Sequence, residues 1–133
     1  MKPLKARVTK GFQKDSRIPV CDNSGAKEIR VISFKGYKGV KSRNPCGSVA
    51  DFITASVVKG NLEMRKKVVY AIIIRQRKEY RRSNGMRIKF EDNAAVVLKD
   101  DKGNPKGTII KGPVAKEAAD RWPGIAKLAS IIL

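Results

Sequence analysis

Histidine is absent from this chain, and cysteine nearly so: Cys21 and Cys46 stand far apart and outside any Cys-x-x-Cys pair. A zinc site needs thiolates or imidazoles that are not there, and a nucleophilic cysteine ordinarily wants a histidine base. Both thiols are read as inert side chains of a reducing compartment. Carboxylates are scarce too, 12 Asp+Glu against 30 Lys+Arg. Glu91-Asp92 is the densest acidic pair, but neighbours on a strand face opposite ways. Turn or strand-end capping there outweighs a metal or acid–base pair. No Gly-x-x-x-x-Gly-Lys-Ser/Thr run exists to cradle a nucleotide phosphate. The longest apolar run, residues 68–74, is far too short to cross a bilayer. Met1-Lys2-Pro3-Leu4-Lys5 lacks the apolar stretch of a secretory signal. The expectation is a cytoplasmic protein with no catalytic residue, metal or cofactor.

What is present is positive charge. The 133 residues carry a formal +18, with a pI near 10.3. A single domain of this length buries a core without disulfides or metal. Such a field selects polyphosphate partners and says little about fold. An anionic membrane surface would attract it as well, but the basic residues mark no amphipathic helix. Nucleic acid is therefore the preferred partner, with no membrane.

The charge concentrates where an apolar β-forming run, residues 68–74, feeds into Arg75, Arg77, Lys78, Arg81 and Arg82. Asn84-Gly85 then turns the chain into an alternating strand over residues 86–90. This predicts a cationic hairpin on a rigid β-scaffold. Arg presents a planar five-donor fork to phosphate oxygens, and Tyr80 among the arginines is placed to stack on an unpaired base. The alternative is a solvated loop whose charge serves solubility. Lys35, Lys38, Lys41 and Arg43, with Tyr37 between them, form a second basic loop whose glycines let backbone approach phosphates. Arg65, Lys66 and Lys67 are either a third contact or the solvated lead-in to a strand. If these segments neutralise ~8 phosphates, the log–log salt slope of binding is about −5 to −7.

Residues 1–16 are polar and basic (Lys2, Lys5, Arg7, Lys10, Lys14) and read as an arm that orders on a partner or as a frayed tail. Residues 17–133 read as one domain. Strands are predicted at 17–21, 28–34, 49–58, 68–74, 86–90, 94–98 and 107–110, with Asp22-Asn23-Ser24-Gly25 a dense turn. A helix is predicted over 114–121 with Pro113 at its start, stopped by Trp122-Pro123-Gly124, and a second short turn over 125–128. Trp122 is a packing anchor or a partner hot spot. Short strands, Gly-rich turns and a little helix argue for a small closed barrel with a helical appendix.

The spacing within this region resembles a known signature. Ala71-Ile72-Ile73-Ile74, nine residues, Asn84-Gly85, four residues, Phe90, then Asn93 and Val96-Val97 match the universal large-subunit ribosomal protein L-fourteen family at every position. Asp22-Asn23-Ser24-Gly25-Ala26-Lys27 resembles that family's first turn, and Gly107-Thr108 with Gly112-Pro113-Val114 its closing segment. The resemblance covers about residues 17–133. It implies a mainly β fold: a small five-stranded β-barrel with a projecting β-ribbon and short C-terminal helices. It also implies a structural, non-catalytic role on large-subunit rRNA, with a bridge to small-subunit rRNA. Further implied partners are neighbouring ribosomal proteins, including the large-subunit protein three family, and the anti-association initiation factor six. On that reading Arg75, Arg77, Lys78, Arg81 and Arg82 face RNA, while Lys116 and Arg121 lie toward the partner surface. The extra basic arm and the long segment 36–45 lean toward an archaeal or eukaryotic type, the compact chain toward archaeal.

Overall fold

In the computed structural model, residues 1–4 and 7–133 are described; Lys5 of the basic arm lies outside them. The described residues form β1 (Phe12–Gln13), β2 (Arg17–Pro19), β3 (Ala26–Phe34), β4 (Cys46–Gly47), β5 (Phe52–Gly60), β6 (Val68–Arg75), β7 (Tyr80–Arg81), β8 (Arg87–Ile88) and β9 (Ala94–Val97). Two helices follow, α1 (Lys116–Arg121) and α2 (Pro123–Leu128). Five strands make one antiparallel sheet in the order β2-β3-β5-β6-β9. Register shifts in the β3–β5 and β6–β9 ladders sharpen its twist. The sheet curls into a half-barrel until its edges meet: Val20, just past β2, bridges Ala95 of β9, and the Cys21 N–H donates to the Ala95 carbonyl at 3.1 Å.

Register shows how the sheet is filled. Ile53, Ala71 and Val97 lie side by side across β5, β6 and β9, all fully buried. They share the concave face with Ile29, Val31, Ala55 and Val57. Phe52, Ile72 and Val96 form the adjacent row, which alternation places on the opposite face. The C-terminal segment covers that face, with the Trp122 ring 5.9 Å from Phe52. The apolar end of β6 is thus buried on both sides, which is why it reads as a continuous run rather than an alternating one. Each such Ile or Val contributes about 1.5–3 kcal/mol of burial.

Local details depart from the expected elements for definable reasons. The strand expected at 49–58 begins at Phe52, because the Asp51 carboxylate accepts the Ser48 N–H at 2.8 Å and bends the preceding residues. Between them Ala50 holds a φ of 72°. The first helix begins at Lys116, not beside Pro113. Val114 is instead in a parallel bridge to Ile132, exchanging hydrogen bonds with Ile131 and Leu133. The helix-starting proline is Pro123, the first residue of α2. Over 107–110 only Ile110 pairs, with Asp22, and of the strand expected at 86–90 only Arg87–Ile88 pairs. The body also starts before Arg17: Val8 and Phe12 are buried, and β1 pairs with β4.

Candidate nucleic-acid interface

The cationic run that leaves β6 does not point one way. Arg75 is buried and spent on structure, correcting its assignment to an RNA-facing loop. Its Nε and Nη2 donate to the two Asp92 carboxylate oxygens at 2.9 and 3.0 Å. Nη1 donates to the Lys111 and Pro113 carbonyls at 3.0 and 2.7 Å. Gly112 lies between those carbonyls at φ 81°, where an added Cβ would come within 2.9 Å of Nη1. A guanidinium inside a fold is tolerated only when its donors are filled this way. It ties the end of β6 to the segment leading into α1.

Tyr80 is likewise withdrawn, at 1% exposure, so it offers no stacking face. Its hydroxyl donates to Glu117 Oε2 at 2.8 Å. Burial, and then the Glu117 carboxylate beside it, push its pKa up to about 12. Arg82 pairs with Glu117 Oε1 at 2.8 Å and donates to the Leu133 carbonyl at 2.6 Å. The Tyr80–Glu117–Arg82 group therefore clasps the β7–β8 hairpin to α1 and the last residue. At the helical end, Trp122 is buried and donates from Nε1 to the Ala50 carbonyl at 2.8 Å. Arg121 pairs with Asp51 at 3.1 Å. Trp122 is thus the packing anchor rather than a surface residue, and Arg121 is mostly withdrawn, while Lys116 is exposed.

The outward set is Arg77, Lys78 and Arg81 on the hairpin with Lys35, Lys38, Lys41 and Arg43 on the β3–β4 loop, all exposed. Among the described residues none of these seven is in an ion pair. Their backbone is fixed. The Asn93 side chain accepts the Arg77 N–H at 2.8 Å, and Asn84 accepts the Met86 N–H at 3.0 Å. Gly85 supplies a φ of 87° for the hairpin turn. Lys41 and Ser42 both hold left-handed φ values, 55° and 57°, at the loop tip. Both groups lie at the same end of the sheet, since Phe34 at the end of β3 pairs with Ile53, and Phe52 beside it pairs with Ile72 near the end of β6. Lys66 and Lys67 are also exposed, but they precede β6 and sit at the other end. Eight residues of strand separate them from the hairpin root, about 25 Å at the usual rise.

Sequence reasoning missed several residues here. Lys89 is exposed on the hairpin, and Arg87 is exposed but neutralised by Glu79 at 2.7 Å. Gln76 is fully buried in the middle of the basic run. Nothing in a lone glutamine between two arginines signals that role. The Cys21 thiol is buried, and burial pushes its pKa up to about 11, which keeps it an unreactive thiol near neutral pH.

A curled β-sheet whose buried ionisable groups serve as ties, and whose exposed cations stand on an anchored hairpin and loop, defines a strongly basic β-sheet protein braced at its charged end. The chain belongs to the family described as Ribosomal protein L14p/L23e, which matches residues 11–133; it is a ribosomal structural protein, not an enzyme. Relatives cover it end to end. It is 53% identical over 133 residues to the large ribosomal subunit protein uL14 of Halorubrum lacusprofundi, covering 100% of both chains. It is 53% identical over 132 residues to the uL14 protein of Methanococcus maripaludis, covering 99% of each. With that of Nanoarchaeum equitans it shares 49% over 133 residues, 100% of both. These relatives are archaeal, within the archaeal or eukaryotic type toward which the arm and the long basic loop lean and in line with the compact chain.

Proposed function

We propose that this chain is a structural constituent of the large subunit of the cytoplasmic ribosome, held on large-subunit rRNA by the exposed cations at the hairpin end of the sheet. The observation that carries the reading is the separation within one basic run: Arg75, Tyr80 and Arg82 brace the hairpin, while Arg77, Lys78 and Arg81 are exposed and, among the described residues, in no ion pair. Lys35, Lys38, Lys41 and Arg43 extend that contact, and Lys66 and Lys67 make a second, separate one. Phosphate contacts of this kind position a protein and read no sequence. On the family resemblance, the chain also contributes to a bridge with small-subunit rRNA. The surface around Lys116 faces neighbouring ribosomal proteins, including the large-subunit protein three family, and the anti-association initiation factor six.

Sedimentation of tagged chain from cells tests this. The chain is expected to travel with large subunits after a high-salt wash; recovery mainly in the soluble pool would contradict the proposal. A triple replacement of Arg77, Lys78 and Arg81 by Ala is expected to shift the chain toward the soluble pool.

A further inference from the structure

Gln76 sits where three segments meet. Its Oε1 accepts the Val49 N–H at 3.0 Å, and its Nε2 donates to the Thr9 carbonyl at 2.9 Å and the Lys78 carbonyl at 3.0 Å. Its own carbonyl accepts the Phe90 N–H at 3.1 Å. One buried amide thus joins the N-terminal segment, the turn after β4 and the root of the hairpin, with its side-chain oxygen and both side-chain hydrogens bonded. Beyond Thr9 the N-terminal chain stays in the seam. An added Cβ on Gly11 would lie 3.0 Å from Lys78 Cβ. The Gly11 N–H donates to the Gly47 carbonyl at 3.0 Å and the Lys14 N–H to the Pro45 carbonyl at 3.1 Å. On the other side, the Lys10 ammonium stands 5.1 Å from the centre of the Tyr37 ring.

From this geometry we infer that residues 9–14 are the middle strip of one composite polyanion surface, with Lys10 and Lys14 bridging the basic loop around Lys38 to Arg77 and Lys78, and with Gln76 as the positioning residue. The inference rests on the rRNA-binding reading and adds to it contacts from a segment that composition alone left open between a partner-ordered arm and a frayed tail. The occupant is an RNA phosphate backbone. Lys10, Lys14, Lys38, Arg77 and Lys78 are all exposed, and none is in an ion pair among the described residues. The neighbouring carboxylates are taken up elsewhere, Asp15 by Arg30 and Glu79 by Arg87, and five unpaired cations suit a partner that supplies several negative charges along a line.

The test measures binding of the full chain to purified archaeal large-subunit rRNA over a range of salt concentrations. Lys10→Ala with Lys14→Ala is expected to flatten the log–log salt slope by about 1 per lysine, with the melting temperature unchanged. Gly11→Val sets a branched side chain 3.0 Å from Lys78 Cβ and 3.5 Å from the Gln76 amide, pushing the strip off the hairpin root while leaving the Gln76 side chain itself in place, and is expected to reproduce most of that loss. Adding the two lysine changes to Gly11→Val is then expected to do little more, because the strip is already displaced. Gln76→Leu is expected to behave like Gly11→Val, with a lower melting temperature as well; if it does not fold, Gly11→Val carries the test. A normal slope in the lysine double variant, or full additivity with Gly11→Val, overturns the inference while leaving rRNA binding intact. Loss of an acidic protein partner with unchanged rRNA binding overturns it too. Failure of the unaltered chain to bind rRNA overturns both readings.

Discussion

Arg75, Tyr80 and Arg82 share one short stretch with Arg77, Lys78 and Arg81, yet the two sets do opposite work. The first turns inward onto Asp92, Glu117 and backbone carbonyls; the second stands in solvent and, among the described residues, in no ion pair. Residue type does not separate them. What does is a set of partners remote in sequence: Asp92 beyond the hairpin, and Lys111, Pro113 and Glu117 in the closing segment. A cation with filled donors is part of the fold, and one without is free to meet another molecule.

The comparison is broken most directly at Arg75. Arg75→Ala leaves Asp92 and two carbonyls without their donor, and removing one partner of a buried ion pair costs about 3–5 kcal/mol. Asp92 is more than half exposed, which places the expected loss near the lower end, a fall in melting temperature of roughly 10 °C. Arg75→Lys is expected to rescue little, since an ammonium cannot reproduce the two-pronged contact with Asp92 and reach both carbonyls. A melting temperature within a degree or two of the unaltered chain would return Arg75 to the surface set.

Tyr80→Phe is expected to cost about 1 kcal/mol by removing a hydrogen bond to a partly buried carboxylate, read by urea unfolding at neutral pH. It should also change the alkaline behaviour. Tyr80 is raised from 10.0 to about 12 on folding, and Cys21 from 9.0 to about 11. In both cases the folded state holds the proton more tightly, so the stabilisation is complete below the unfolded values. It is lost as pH rises, from about 9 to 11 for the thiol and from about 10 to 12 for the phenol. The Phe variant is therefore expected to lose stability less steeply above pH 10, keeping the lower part of the slope that belongs to Cys21. Equal slopes in the two proteins would remove Tyr80 from the clasp.

How far the sequence reaches follows the same division. The apolar run of β6, the Asn84-Gly85 turn and the Ala94–Val97 strand are legible because their signals are local: β-forming residues, and a dipeptide that accepts positive φ. The signature residues prove to be scaffold. Asn93 holds the Arg77 N–H, Phe90 is buried, and Ala71 to Ile74 are covered on both sides of the sheet. The inward turn of Arg75, the burial of Tyr80 and the junction at Gln76 each depend on partners 17 or more residues away, so no short window along the chain displays them. Trp122 is half-legible: its size marks it as an anchor, but only the fold shows that it closes over Phe52 and the Ala50 carbonyl.

A comparison between the two ends of β6 gives the smallest expected effect. The hairpin trio Arg77, Lys78 and Arg81 and the pair Lys66 and Lys67 stand at opposite ends of β6. Replacing the trio by Ala is expected to leave stability within ~0.5 kcal/mol and to flatten the salt slope of rRNA binding by about 2 to 3. Lys66→Ala with Lys67→Ala is expected to flatten it by about 1. Because the two groups are separated by the length of the strand and share no partner, their losses in log K are expected to add when combined. A combined loss well short of that sum would mean that both ends engage the RNA as a single unit, and the division between a main contact and a separate one would have to be redrawn.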